Sequence, residues 1–205
     1  LQRLWEKPSI AWCTPNLITC WKSTNREKSA STTKMELDTG QLNSVLSRAL
    51  GSAFGGTYAR DLIPHRLRPY ERAMVINTDP HDQPGTHWVC VYVVPPVVEY
   101  FDSYGLKPFL PEILNFIERQ QSTPVWNPFD YQAFNTTVCG QYCVYYLLQR
   151  HKRKKTVQEW MLPFPPSSPM HQDCYIARWF LEKFHPPRHH YGQRCQCFYS
   201  NPPHL

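Results

Sequence analysis

The chain has 205 residues, with 22 Lys/Arg against 16 Asp/Glu for a formal net charge of +6, and is 41% hydrophobic and 14% aromatic. That apolar content can build a core, which excludes wholesale disorder, and the length suits one domain. Residues 1–34 hold six Lys/Arg and two Asp/Glu, so the remainder carries a net of only +2, too little by itself to demand a nucleic-acid partner.

Residues 1–34 show no sustained periodicity, and Met35 opens a segment of different character. The expectation is that 1–34 form an N-terminal extension, linker or functional arm, with Met35 as a natural start. Leu42, Val45, Leu46, Ala49 and Leu50 recur at helical spacing, stopped by Gly51. Gly55, Gly56 and Pro64 predict a loop. Ala73–Asn77 predicts a buried strand, and 79–85 a turn-rich loop. Val89–Val94 and Val97–Phe101 predict two strands split by Pro95-Pro96. Pro111–Gln120 predicts an amphipathic helix and Val125–Trp126 a further strand.

Val144–Leu148 is apolar all round, so a helix beginning near Cys139 is expected to be central and buried. A proline-rich loop is expected from Pro163 to Pro169, then a last helix over Asp173–Phe184 stopped by Pro186 and Pro187. The expected fold class is α+β, with a central mixed sheet packed on the buried helix that starts at Cys139. No apolar run reaches the roughly 18 residues of a membrane span. Pro8, Lys22 and Arg26 interrupt any signal-like stretch. Eight cysteines in a chain this long do not make a disulfide scaffold, and several lie in apolar runs. A soluble intracellular protein with reduced thiols is expected.

Val138-Cys139-Gly140-Gln141-Tyr142-Cys143 leads straight into the apolar helix. A thiol at a helix N-terminus is favoured as thiolate, because the backbone N–H groups there attract negative charge. Gly140 would let a substrate backbone approach closely. A lone cysteine there would equally suit a buried turn, and Cys143, one turn on, is expected in the core. His87 stands in Gly85-Thr86-His87-Trp88 at the mouth of one strand, and Asp102 at the far end of the next. Antiparallel strands bring such ends together, as a nucleophile, base and orienting acid require. Taken singly, Asp102 would suit a turn cap and His87 an interface. Gln132 could supply an amide donor to an oxyanion.

The order Gly-Thr-His87-Trp88, Phe-Asp102-Ser-Tyr-Gly, then Gln132 with six residues before Cys139-Gly140 resembles the adenovirus-type maturation proteases. These adenain-like enzymes share a clan with the SUMO- and ubiquitin-like deconjugating proteases. The resemblance extends to Phe54-Gly55-Gly56-Thr57-Tyr58, to Ala73–Thr78 and to Asp173–Phe184 with His185-Pro186. It implies a protease domain over 35–191, a tail over 192–205, and the papain-like clan arrangement with circularly altered order. It also implies His87 as base, Asp102 as its orienter, Cys139 as nucleophile and Gln132 as oxyanion donor. Small residues, typically glycine, are then expected before the scissile bond, with Trp88 walling their channel.

The resemblance further implies viral or transposon-encoded structural precursors as substrates, and a virion or host-nuclear setting. The chemistry needs no cofactor, although relatives are stimulated by DNA and by a disulfide-linked activating peptide. No cysteine stands near Gln121, where the peptide-bridging one is expected. DNA would meet the basic run Arg150, Lys152, Arg153, Lys154 and Lys155, which equally reads as a solvated helix end. A monomer without metal is expected, since His189, His190, Cys195 and Cys197 lack the usual zinc spacing. Two readings compete with the endopeptidase. One is a ubiquitin or SUMO deconjugating protease, and the other a non-enzymatic, nucleic-acid-binding particle protein.

Overall fold

A computed structural model describes residues 36–159 and 169–184, all within one compact unit of the chain. The calls on 1–34, on the 163–168 loop and on His189, His190, Cys195 and Cys197 lie outside the described residues. The first helix, α1 (Thr39–Leu50), begins before its apolar stripe because Asp38 and Gln41 form a capping box. The Gln41 N–H donates to Asp38 Oδ1 at 2.8 Å, and the Asp38 N–H donates to Gln41 Oε1 at 3.0 Å. Leu42, Val45, Leu46 and Leu50 turn inward. Leu42 and Leu46 are fully buried, a transfer gain of about 1.5–3 kcal/mol each.

The Gly55-Gly56 segment, expected as a loop, is instead the edge strand β1 (Phe54–Ala59). It pairs in parallel with β2 (Ala73–Asn77) through a register shift between Phe54 and Gly56. The ladder to β2 outweighs the weak strand propensity of glycine, and the glycines let the irregular turn form. Gly56 has φ +129°, which a side chain would strain. Strands β3 (Trp88–Val94) and β4 (Val97–Phe101) form the expected hairpin, with Cys90 opposite Phe101 and Val94 opposite Val97. After α2 (Pro111–Arg119), β5 (Thr123–Trp126) runs parallel to β4. The sheet order is β1-β2-β3-β4-β5, antiparallel only at β2/β3 and β3/β4. The class is α+β with a five-stranded mixed sheet.

Alternation along the strands sends side chains to two apolar layers. Met74, Ile76, Val89, Val91, Val93, Val98 and Tyr100 meet Ile113, Phe116 and Ile117 of α2 on one face. On the other face, Val75, Cys90, Tyr92 and Phe101 join α1, α3 (Cys139–Arg153) and α4 (Pro169–Phe184) in the larger cluster. Ten consecutive residues of α3, Cys139 to Leu148, are buried, so it is the central helix its sequence predicts. The last helix starts four residues earlier than expected, at Pro169. Its ring-fixed φ and missing N–H suit a first turn. Among the described residues, no helix is long and apolar enough to cross a membrane.

The basic run needs one correction. Arg150 is not part of a solvated cluster: it is 9% exposed. Its Nε donates to Glu99 Oε2 at 2.8 Å, and its guanidinium lies 4.8 Å from the centre of the Tyr92 ring. Glu99 Oε2 also accepts from the Tyr146 hydroxyl at 2.6 Å and the Val157 N–H at 3.2 Å. Removing one partner of such a buried pair strands the other charge. Glu99→Ala is therefore expected to cost about 3–5 kcal/mol in urea unfolding, with much of it recovered when Arg150→Met is added.

Candidate active site

The hairpin register brings the chain entering β3 beside the chain leaving β4, which carries His87 to Asp102. His87 Nε2 lies 2.9 Å from Asp102 Oδ1, and both side chains are largely buried. On the His87 side, the Thr78 N–H donates to the His87 carbonyl at 2.9 Å. Gly85, at φ +82°, leaves no room for a side chain, since a Cβ there would sit 2.5 Å from Asn77 Nδ2. Tyr104 stacks on the imidazole, ring centres 4.7 Å apart.

Asp102 is held from three directions. Its Oδ1 accepts from the Tyr104 N–H at 2.8 Å. The fully buried Asn127 accepts from the Asp102 N–H at 3.0 Å and donates to the Asp102 carbonyl at 2.7 Å. Asn127 Nδ2 also donates to the Phe129 carbonyl at 2.9 Å, tying the chain after β5 to the carboxylate.

Cys139 is the first residue of α3 and is 4% exposed. No side chain caps this helix, so its first N–H groups keep their partial positive charge beside the first residue. Burial disfavours the charged imidazole more than any other single influence. Hydrogen bonds to Asp102 and Cys139, together with their charges, outweigh it, and His87 is pushed up to about 9. With Nε2 engaged by Asp102, Nδ1 lies on the other edge of the ring. Cys143 lacks such a neighbourhood, and burial raises its thiol well above the ordinary range. It is a core residue, as expected.

Gln132 is 2% exposed, in the irregular segment before α3. The Ser103 hydroxyl donates to Gln132 Oε1 at 2.7 Å, and the Thr136 carbonyl, which can only accept, identifies the other end of the amide as the donor. Gln132 Nε2 donates to the Thr136 carbonyl at 2.9 Å, leaving a second N–H on the same nitrogen. The Gln132 and Tyr131 N–H groups both donate to the Ser103 carbonyl, at 3.0 and 2.7 Å. Gln132 is thus moored to the turn that follows Asp102.

The two residues expected to bind substrate, Trp88 and Gly140, are both buried. Trp88 has its Nε1–H donating to the Leu37 carbonyl at 2.9 Å. It borders a cleft of about 580 Å³ that Leu37, Thr57, Asn77 and Gly85 also line. Gly140 is corrected: it is buried, and a Cβ there would meet Leu37 at 3.1 Å and Trp88 at 3.4 Å. Its bare backbone serves packing rather than an open approach.

Lys152, Arg153, Lys154 and Lys155 are exposed at the far end of α3, about 20 Å along the axis from Cys139. Ser103 and Tyr104 stood inside the motif that carried Asp102, but their contacts had no local signal. Nor did those of Asn127, 25 residues on. Among the described residues, no His/Cys/Asp/Glu group is arranged to hold a metal.

No family model matches the sequence, and no curated protein does. Among solved structures, the ASFV pS273R protease is similar at 21% identity and a TM-score of 0.38, over 54% of this chain and 45% of that one. This chain thus matches less than half of that protease's length, and the likeness is a distant one of fold.

The raised His87 has a consequence for stability. A histidine held above its ordinary 6.5 stabilises the fold fully below pH 6.5. That contribution is lost as pH climbs to about 9. Thermal melts from pH 6 to 9.5 are expected to show falling stability across this window. Asp102→Asn, which removes a charge that favours the imidazolium, should shallow the slope.

Proposed function

We propose that this chain is a cysteine peptidase in which Cys139 attacks, His87 moves the proton, Asp102 orients His87 and Gln132 stabilises the oxyanion. The observation that carries this reading is the buried imidazole held 2.9 Å from Asp102, with Cys139 at a helix start among the groups that favour its charged form. A histidine that burial should discharge is instead favoured as the cation. That is the state reached when the thiol proton has moved to the ring.

From that state the sulfur attacks a peptide carbonyl carbon, and the carbonyl π pair moves onto oxygen. The Cys139 N–H and the second Gln132 Nε2–H face the resulting charge, each worth roughly 10²–10³ in rate. As the C–N bond breaks, the imidazolium gives its proton to the leaving amine, and a thioester remains on Cys139. Water then attacks the thioester while His87 takes its proton. Collapse releases the acid product and returns the sulfur. Asp102 keeps the ring in the orientation that serves both half-reactions.

Extended chain with small residues, glycine above all, next to the scissile bond is the substrate that the motif resemblance implies. The six-residue interval between Gln132 and Cys139 inclines the reading toward an endopeptidase that matures structural precursors. Removal of a ubiquitin-like modifier uses the same chemistry and accepts the same glycines. Exposed Lys152–Lys155 would meet phosphate, so stimulation by DNA belongs to the proposal as a salt-sensitive effect.

The test is cleavage of peptides bearing Gly-Gly-X sites by the purified chain, with and without DNA. Wild-type protein should cleave, Cys139→Ala should not, and Gln132→Ala should lose about 10²–10³ in kcat. Cleavage that persists in Cys139→Ala, or none by wild type, would sink the reading. Probes with a C-terminal electrophile on ubiquitin or SUMO separate the two substrate classes, since labelling of Cys139 by either one would favour the deconjugase.

A further inference from the structure

The segment from Tyr131 to Val138 contains no helix or strand, yet it carries Gln132. A stretch of this kind stays in one geometry only if side chains elsewhere satisfy its backbone. The most heavily used of these belongs to α4. Asp173 is 4% exposed, and its Oδ2 accepts from the Ala133 N–H at 3.1 Å and the Thr136 hydroxyl at 2.7 Å. Its Oδ1 lies 2.8 Å from the hydroxyl of Tyr142, one turn into α3 from Cys139, and that hydroxyl also lies 3.0 Å from the Tyr131 carbonyl. One carboxyl group thus meets two points within the segment and the nucleophile's helix. Thr136 passes the constraint on, because its carbonyl is the acceptor of Gln132 Nε2.

We infer that Asp173 is a positioning residue: it pins Ala133 and Thr136 against α3 and so fixes the Gln132 amide where the oxyanion forms. This rests on the peptidase reading above and deepens it. Without the carboxylate, the Ala133 N–H and the Thr136 hydroxyl lose a buried acceptor, and the segment is free to relax toward solvent. The sulfur and imidazole have further anchors of their own, the buried face of α3 and the β3–β4 ends.

Burial raises Asp173 to about 6. The groups that meet it are the Tyr142 and Thr136 hydroxyls and the Ala133 N–H, with Tyr104 within reach of its charge. The bonding pattern survives either protonation state. When Asp173 is ionised, Tyr142 donates to Oδ1. When it is neutral, the carboxyl O–H donates to Tyr142, whose own proton turns to the Tyr131 carbonyl. An asparagine reproduces the neutral pattern, its Nδ2 donating to Tyr142 and its Oδ1 accepting from the segment. Alanine reproduces nothing.

The full chain is compared with Asp173→Ala and Asp173→Asn by three readouts. These are peptide kinetics, iodoacetamide alkylation of Cys139, and hydrogen exchange over 131–136. Alkylation needs the sulfur and imidazole but no oxyanion donor. Asp173→Ala is expected to lower kcat about 10- to 100-fold with KM within about threefold. It should leave alkylation within about twofold and speed exchange over 131–136. Asp173→Asn should restore kcat to within about threefold of wild type. Should Asp173→Ala fail to fold, Thr136→Val cuts one of the same bonds and is expected to act in the same direction more weakly. Unchanged exchange overturns the inference, as does a parallel fall in kcat and alkylation, or an Asn variant as impaired as Ala. A normal kcat with Cys139-dependent cleavage intact sinks this inference alone, whereas a wild-type chain with no such cleavage sinks the peptidase reading and this one with it.

Discussion

The contact between His87 and Asp102 is costly to build, and much of the surrounding structure is shaped by that cost. Both groups are taken out of water, where a lone buried charge would be prohibitive. Asp102 is tolerated because the Tyr104 N–H meets its Oδ1, and because Asn127 clips its backbone at both the N–H and the carbonyl. His87 is tolerated because Asp102 bonds its Nε2 and Tyr104 covers its face. The β3–β4 hairpin supplies the register that makes these meetings possible. A slip of one residue would turn every strand side chain to the opposite face.

Helix α3 is the second organising element. Burial from Cys139 to Leu148 leaves it little freedom to rotate or slide, so its first residue is delivered to a fixed place. Its far end is anchored by Arg150 on Glu99, a carboxylate of β4 that also gathers Tyr146 and Val157. The same strand therefore ends in Asp102 near one end of α3 and carries Glu99 near the other. At the N-terminus, Gly140 allows Leu37 and Trp88 to close over the backbone, which seats Cys139 without a side chain in the way.

The irregular chain between β5 and α3 is governed differently. It has no ladder of its own, and its order comes from four side chains. Asn127 ties it to the end of β4, Ser103 holds the Gln132 carboxamide, and Asp173 and Tyr142 bracket 131–136. Such tethers favour one loop geometry through a handful of hydrogen bonds, each worth about 0.5–1.5 kcal/mol net. Small changes at distant positions can therefore loosen it without harming the core.

Much of this was written locally in the chain. The apolar run after Cys139, the hairpin split at Pro95-Pro96 and the stripe from Leu42 to Leu50 each specify their element through neighbours a few residues apart. The triad-like spacing of His87, Asp102 and Cys139 was legible for the same reason, because each stands at the end of a readable element. Tertiary structure decided what local pattern cannot encode. Pairing with β2 made Gly55-Gly56 a strand, Glu99 drew Arg150 out of the basic run, and Leu37 and Trp88 claimed the space above Gly140. Asn127 and Asp173 gained their partners only when segments 25 to 40 residues apart came together. Periodicity records which face of an element is buried, whereas the acceptor that a given N–H finds is settled by packing.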